Sequence, residues 1–171
     1  DMGGYGIWKD VYLSGENKYR IDDLYYRTSN DGWVTMFAEL NYNVRPMRDY
    51  DGAVIEGTNS EIQGDKIVFS VATEPFGTEY KTGELEVTGA KNFVNLKVDN
   101  PKLWWPNGYG EQPLYPYKAE LFRGCVKVSE KSGRLAFRTV ELIEEVKDEK
   151  TLGFEFAING ERIFLKGSNW V

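Results

Sequence analysis

What this chain lacks most conspicuously is histidine: there is none in 171 residues, and there is one cysteine. Without an imidazole, neither a Ser-His-Asp nor a Cys-His relay can be assembled, because neither nucleophile would have its usual base. One thiol forms no intrachain disulfide and cannot build a cysteine-based zinc site, so neither a metal site nor a cofactor is expected. Cys125, beside Gly124 and Val126, reads as a small half-buried apolar residue. Basic residues are also in short supply. Lys and Arg number 21 against 27 Asp and Glu, a net charge of −6, whereas a nucleic-acid surface concentrates cations. No run approaches the roughly eighteen apolar residues of a membrane helix, and no basic and apolar leader stands at the start. Nucleic acid and membrane are therefore not expected partners.

What is present is alternation. Val34, Met36, Ala38, Leu40, Tyr42 and Val44 share one phase, the mark of a half-buried strand. The same period runs through Ile67, Phe69 and Val71, through Leu85 and Val87, and through Val94, Leu96 and Val98. It recurs in Tyr115, Tyr117, Ala119 and Leu121, in Val126 with Val128, in Ala136 with Val140 and Leu142, and in Phe154, Phe156 and Ile158. Turn residues separate these runs at Ser29-Asn30-Asp31-Gly32, Gln63-Gly64-Asp65, Thr88-Gly89-Ala90, Arg123-Gly124 and Asn159-Gly160, the last a strong hairpin signal. The segment 139–150 fits a strand with a charged turn about as well as a helix and is read as mostly strand. About nine short strands with one apolar phase each predict an all-β fold, an immunoglobulin-like antiparallel β-sandwich.

The catalytic inventory is thin. Glu84 and Glu86 lie two apart on one strand, roughly 6.7 Å between Cα atoms and so near the spacing of an inverting carboxylate pair. Their neighbours Leu85 and Val87 take the core face, which leaves both glutamates solvated, with nothing to separate their pKa values. Asp22-Asp23 and Glu144-Glu145 are adjacent and point to opposite faces. No catalytic residue is assigned.

The most informative segment is Asn100 to Tyr115, Asn-Pro-Lys-Leu-Trp-Trp-Pro-Asn-Gly-Tyr-Gly-Glu-Gln-Pro-Leu-Tyr. It holds two of the five tryptophans and three of the six prolines, so it reads as a stiff corner carrying large amphipathic rings. Trp104, Trp105 and Tyr109 are either packing groups, within the domain or against a neighbouring one, or a stacking platform for a sugar ring.

This corner resembles a segment in the first immunoglobulin-like domain of the β-mannosidase branch of glycoside hydrolase family 2. Gly6-Ile7-Trp8-Lys9-Asp10-Val11-Tyr12-Leu13 is similar to the strand that ends that family's jelly-roll sugar-binding domain. Phe154 to Val171, with Ile158-Asn159-Gly160-Glu161-Arg162-Ile163-Phe164-Leu165-Lys166-Gly167-Ser168-Asn169-Trp170-Val171, resembles the hairpin and first strand leading into its catalytic (β/α)8 barrel. Phe137-Arg138-Thr139-Val140-Glu141-Leu142 resembles the family's Gly-Phe-Arg-x-x-x-Leu strand, with Ala136 in the glycine place. The resemblance covers nearly the whole chain, in three specific patches, and is loose between Pro46 and Lys91.

The resemblance implies three parts: residues 1–14 as the last strand of a jelly-roll, 15–158 as the sandwich, and 159–171 as the barrel lead-in. Both ends read as cut from something longer. In the resembling enzymes two barrel glutamates carry out a retaining double displacement, the acid/base preceded by asparagine. This sequence has no Asn-Glu dipeptide and would stop at the first barrel strand, so it is expected to be inactive alone. The resemblance puts Asn169 and Trp170 where the barrel begins, either near the substrate at the active-site rim or as barrel-wall packing.

The expected role is a non-catalytic spacer in a parent that hydrolyses terminal β-mannosides with retention. Trp104, Trp105 and Tyr109 would then face neighbouring domains, and the parent's carbohydrate substrate would be the ligand. The alternatives are a free-standing immunoglobulin- or fibronectin-like module binding carbohydrate or protein, or the same domain of a β-galactosidase, β-glucuronidase or exo-β-glucosaminidase. Absence of disulfides permits several compartments, and no Asn-x-Ser/Thr acceptor is present; a bacterial periplasmic or exported parent is expected.

Overall fold

Period-two burial bounded by turns yields sheet throughout the computed structural model, which describes residues 19–41, 47–48, 54–55, 64–148 and 151–167. In chain order the strands are β1 (Ile21–Thr28), β2 (Trp33–Leu40), β3 (Met47–Arg48), β4 (Val54–Ile55), β5 (Asp65–Ala72) and β6 (Tyr80–Glu86). They continue with β7 (Lys91–Lys97), β8 (Tyr115–Arg123), β9 (Val126–Leu135), β10 (Val140–Asp148), β11 (Thr151–Ile158) and β12 (Glu161–Ile163). The segment 139–150, open between helix and strand in sequence, contributes β10 and is strand.

Seven of these strands make the expected immunoglobulin-like sandwich: a sheet ordered β1-β2-β7 faces one ordered β6-β5-β8-β9, all pairings antiparallel. The apolar phases meet between them. Ile21, Val34, Met36, Ala38, Leu40 and Leu96 from the first sheet, with Val98 just after β7, pack on Ile67, Phe69, Val71, Tyr117, Ala119 and Leu121 from the second, with Val87 just after β6. Aromatic edges and polar tips stitch the layers. Tyr26 meets Tyr117 edge-on at 5.3 Å, and the Tyr117 hydroxyl donates to the Leu24 carbonyl at 3.3 Å. On the outer face of the first sheet Tyr25, Phe37 and Phe93 form a cross-strand row, with Tyr25 and Phe37 stacked at 4.9 Å.

Among the described residues, one carboxylate enters this interior. Asp65 is 1% exposed and receives both arms of Arg123, Nε to Oδ1 at 2.9 Å and Nη2 to Oδ2 at 2.8 Å. The bidentate pairing offsets desolvation and pushes the Arg123 pKa up, with the hydrogen bond to Asp65 as the main cause. The guanidinium also lies 4.1 Å from the Tyr19 ring centroid.

Five positions are corrected. Val126 is exposed rather than core-facing and Cys125 is exposed rather than half-buried, because both sit at the tip of the β8–β9 hairpin next to a register shift at Leu121/Phe122. The last strands do not extend the sandwich. β10, β11 and β12 form a separate antiparallel sheet, so Val140, Leu142 and Phe154, expected as core positions, are exposed. Alternation reports which residues share a face of a strand, not whether another layer covers that face.

Candidate functional site

The corner between β7 and β8 forms the junction of the sandwich with the third sheet. It starts on the core side, where Leu103 makes a parallel bridge with Phe137 and the Lys102 N–H donates to the buried Tyr115 hydroxyl at 2.8 Å. Tyr115 and Phe137 are fully buried and meet edge to face at 5.0 Å. From this anchor the chain turns outward. The Trp104 N–H donates to the Phe137 carbonyl at 2.9 Å, and the Arg138 guanidinium lies over the Trp104 ring, 4.4 Å from its centroid. Such a contact contributes about 0.5–2 kcal/mol depending on desolvation.

The outer half of the corner closes on itself. The Trp105 N–H donates to the Glu111 carbonyl at 2.9 Å and the Tyr109 N–H to the Pro106 carbonyl at 3.0 Å. Gly110 runs against the Trp105 ring so closely that a Cβ there would stand 2.9 Å from its Cδ1. Both tryptophans are half-buried and Tyr109 is exposed.

Two residues reach the corner from the third sheet. Asn159 and Gly160 both have positive φ, 54° and 85°, the pattern of the two-residue hairpin turn that Asn-Gly predicts. Asn159 does more than turn the chain. Its Nδ2 donates to the Trp104 carbonyl at 3.0 Å, its Oδ1 accepts the Thr139 N–H at 3.0 Å, and its own N–H donates to the Thr139 carbonyl at 3.1 Å. Beyond β12, the Phe164 N–H donates to the Tyr109 hydroxyl at 3.0 Å. Thr139 in turn accepts from Asn30 Nδ2 at 3.1 Å, which ties in the β1–β2 turn.

Of the residues singled out in sequence, Trp104, Trp105 and Tyr109 thus come together, Trp104 and Tyr109 with direct hydrogen bonds to the third-sheet segment. Asn169 and Trp170 lie outside the described residues, as does the 1–14 stretch. Glu84 and Glu86 stand on a solvated strand, with Glu84 paired to Lys66 at 3.1 Å, and Glu145 is held by Arg162. None of these carboxylates faces the corner. Sequence reasoning missed Asn159 and Arg138 as corner residues. Asn-Gly signals its turn locally, but which carbonyl the asparagine amide finds depends on a segment some fifty-five residues away.

The family model described as Glycosyl hydrolases family 2 matches residues 19–138, more than half of the chain. The chain belongs to glycoside hydrolase family 2. Among curated members, β-mannosidase B of Thermothelomyces thermophilus is 34% identical over 168 residues, and β-mannosidase of Mus musculus is 34% identical over 174 residues. Each alignment covers 97% of this chain and 18% of the relative, so the chain spans under a fifth of the length of these family 2 proteins. A crystal structure of a β-D-mannosidase from Dictyoglomus thermophilum superposes with TM-score 0.68 at 27% identity, over 97% of this chain and 19% of that one. A β-glucuronidase from Parabacteroides merdae, at TM-score 0.55 and 16% identity over 88% of this chain and 17% of that one, shares the fold. Within family 2, this chain is β-mannosidase-like.

Proposed function

We propose that the chain is a non-catalytic spacer in a family 2 enzyme that hydrolyses terminal β-mannosides with retention. The domain 15–158, the sandwich followed by β10 and β11, would stand between the last strand of a jelly-roll, 1–14, and the lead-in to a catalytic barrel, 159–171. The β10–β12 sheet would form the physical link towards the barrel. The observation that carries this reading is the corner junction. Trp104, Tyr109 and Asn159 lock the sandwich to the segment that would continue into the next domain, which makes the spacer a rigid part rather than a tether. Exposed Val140, Leu142 and Phe154 on the third sheet support neighbouring domains of the same parent as partners. A free-standing module would leave that apolar face in water.

Rigid placement matters because a misplacement near 1 Å far from the chemistry costs about 10²-fold in rate. Asn169 and Trp170, just past the junction, would approach the active-site rim, with the parent's carbohydrate as their ligand. The test is the Trp104→Ala, Trp105→Ala double variant of the full-length parent, assayed on p-nitrophenyl β-D-mannoside. Turnover or thermal midpoint should fall; both unchanged would remove the junction role from the corner.

A further inference from the structure

The loop between β5 and β6 holds a large side chain in a conformation that large side chains avoid. Phe76 has φ 59° and is 72% exposed. Pro75 precedes it, and the Gly77 N–H donates to the Glu74 carbonyl at 3.0 Å, closing a β-turn with Phe76 at its third position. With proline second and positive φ third, this is the type II arrangement, where glycine or asparagine ordinarily stands. A phenylalanine there is an outlier that the fold must over-determine. No aromatic ring among the described residues stacks on it.

Phe76 lines an open cleft of about 370 Å³ together with residues of the aromatic corner, near the lower end of small-molecule sites. Glu74, Lys102, Glu111 and Gln112 also line it, with Pro75 and Pro113. Both walls are set in advance. The Thr73 N–H donates to the Glu79 carbonyl at 2.9 Å on one side, and the Lys102 and Trp105 amides are bonded on the other.

We infer that this cleft binds a neutral hexopyranoside, with Phe76 stacked on the CH face of the ring and the four polar side chains bonding its hydroxyls. Two carboxylates, one ammonium and one amide supply both acceptors and donors, as a polyol requires, and their negative balance disfavours an anion. An apolar segment of another domain seated here would bury the same four polar groups unpaired. A sugar satisfies them and uses the exposed ring. The choice of ligand rests on the proposed parent: the cleft holds whichever glycoside that parent cleaves.

The experiment is a titration of the 171-residue chain with methyl β-D-mannopyranoside and methyl β-D-glucopyranoside, followed by amide chemical shifts. The expected result is saturable millimolar binding with shifts confined to residues around 73–79, 102 and 111–113. Phe76→Trp should retain it, and Phe76→Ala should weaken it about two- to tenfold, the worth of one aromatic contact. Phe76→Gly should weaken binding at least as much as Phe76→Ala while raising the thermal midpoint, because it relieves the backbone; a purely structural phenylalanine would not separate these two readouts. No shift in the wild-type chain, or an affinity left unchanged by Phe76→Ala, overturns the proposal. So does a Phe76→Ala variant of the full-length parent that loses domain contacts while the chain shows no sugar binding, which would make Phe76 a protein contact.

Discussion

Replacing Asn159 by glycine isolates the junction from the turn that forms it. Glycine adopts the φ of 54° without strain, so the hairpin persists, whereas both side-chain hydrogen bonds, to the Trp104 carbonyl and from the Thr139 N–H, are lost. Each such bond contributes about 1 kcal/mol net, and the extra freedom of glycine in the unfolded chain adds about 0.5–1 kcal/mol. The expected loss is about 2–3 kcal/mol, a fall of about 4–12 °C in thermal midpoint for a chain of this size. Asn159→Ala should lose about 1 kcal/mol more, since alanine is strained in the left-handed region. Midpoints of the three proteins by calorimetry give the ordering. Amide exchange at Thr139 gives the site, because that N–H has the Asn159 side chain as its acceptor and should exchange faster in Asn159→Gly. A glycine variant within about 0.5 kcal/mol of wild type, with Thr139 exchange unaltered, would refute the junction as a stabilising contact.

Gly110→Ala places a methyl 2.9 Å from Trp105 Cδ1; overpacking of this kind costs about 1–3 kcal/mol, and the displaced indole should report through its fluorescence. Acid should weaken the β8–β9 hairpin through Glu120, whose pKa is held below the ordinary 4.5 first by the hydrogen bond from Lys118 and then by that from Lys127. These ammonium groups lie 2.9 and 3.1 Å from its carboxylate. A depressed carboxyl stabilises the fold above its unfolded pKa and loses that contribution as pH falls through the folded value. The midpoint difference between wild type and Glu120→Gln, measured from neutral pH downward, should therefore shrink to nothing in acid.

The sandwich was legible because its strands are regular. In β2 and β5 the apolar phase is unbroken, and Val34, Met36, Ala38, Ile67, Phe69 and Val71 are all buried as that phase requires. β1 escaped notice because a register shift between Ile21 and Asp23 breaks its period, so that Leu24 and Tyr26 no longer share a simple phase with Ile21. The third sheet escaped for another reason. Phe154, Phe156 and Ile158 alternate as a core strand does, but their sheet pairs with β10 and β12 and not with the sandwich. The corner announced itself through its prolines and tryptophans, while its closing contacts, Asn159 on Trp104 and Arg138 over the indole, join segments distant in sequence. Phe76 gave no signal, because Pro-Phe-Gly suggests that the glycine takes the positive φ, and here the phenylalanine does.

The central claim, that this chain positions domains and performs no chemistry of its own, is tested most directly by p-nitrophenyl β-D-mannoside hydrolysis with the purified 171-residue chain beside its full-length parent. Release of p-nitrophenol by the parent and none above background by the chain is the predicted result. Release by the chain alone would contradict it.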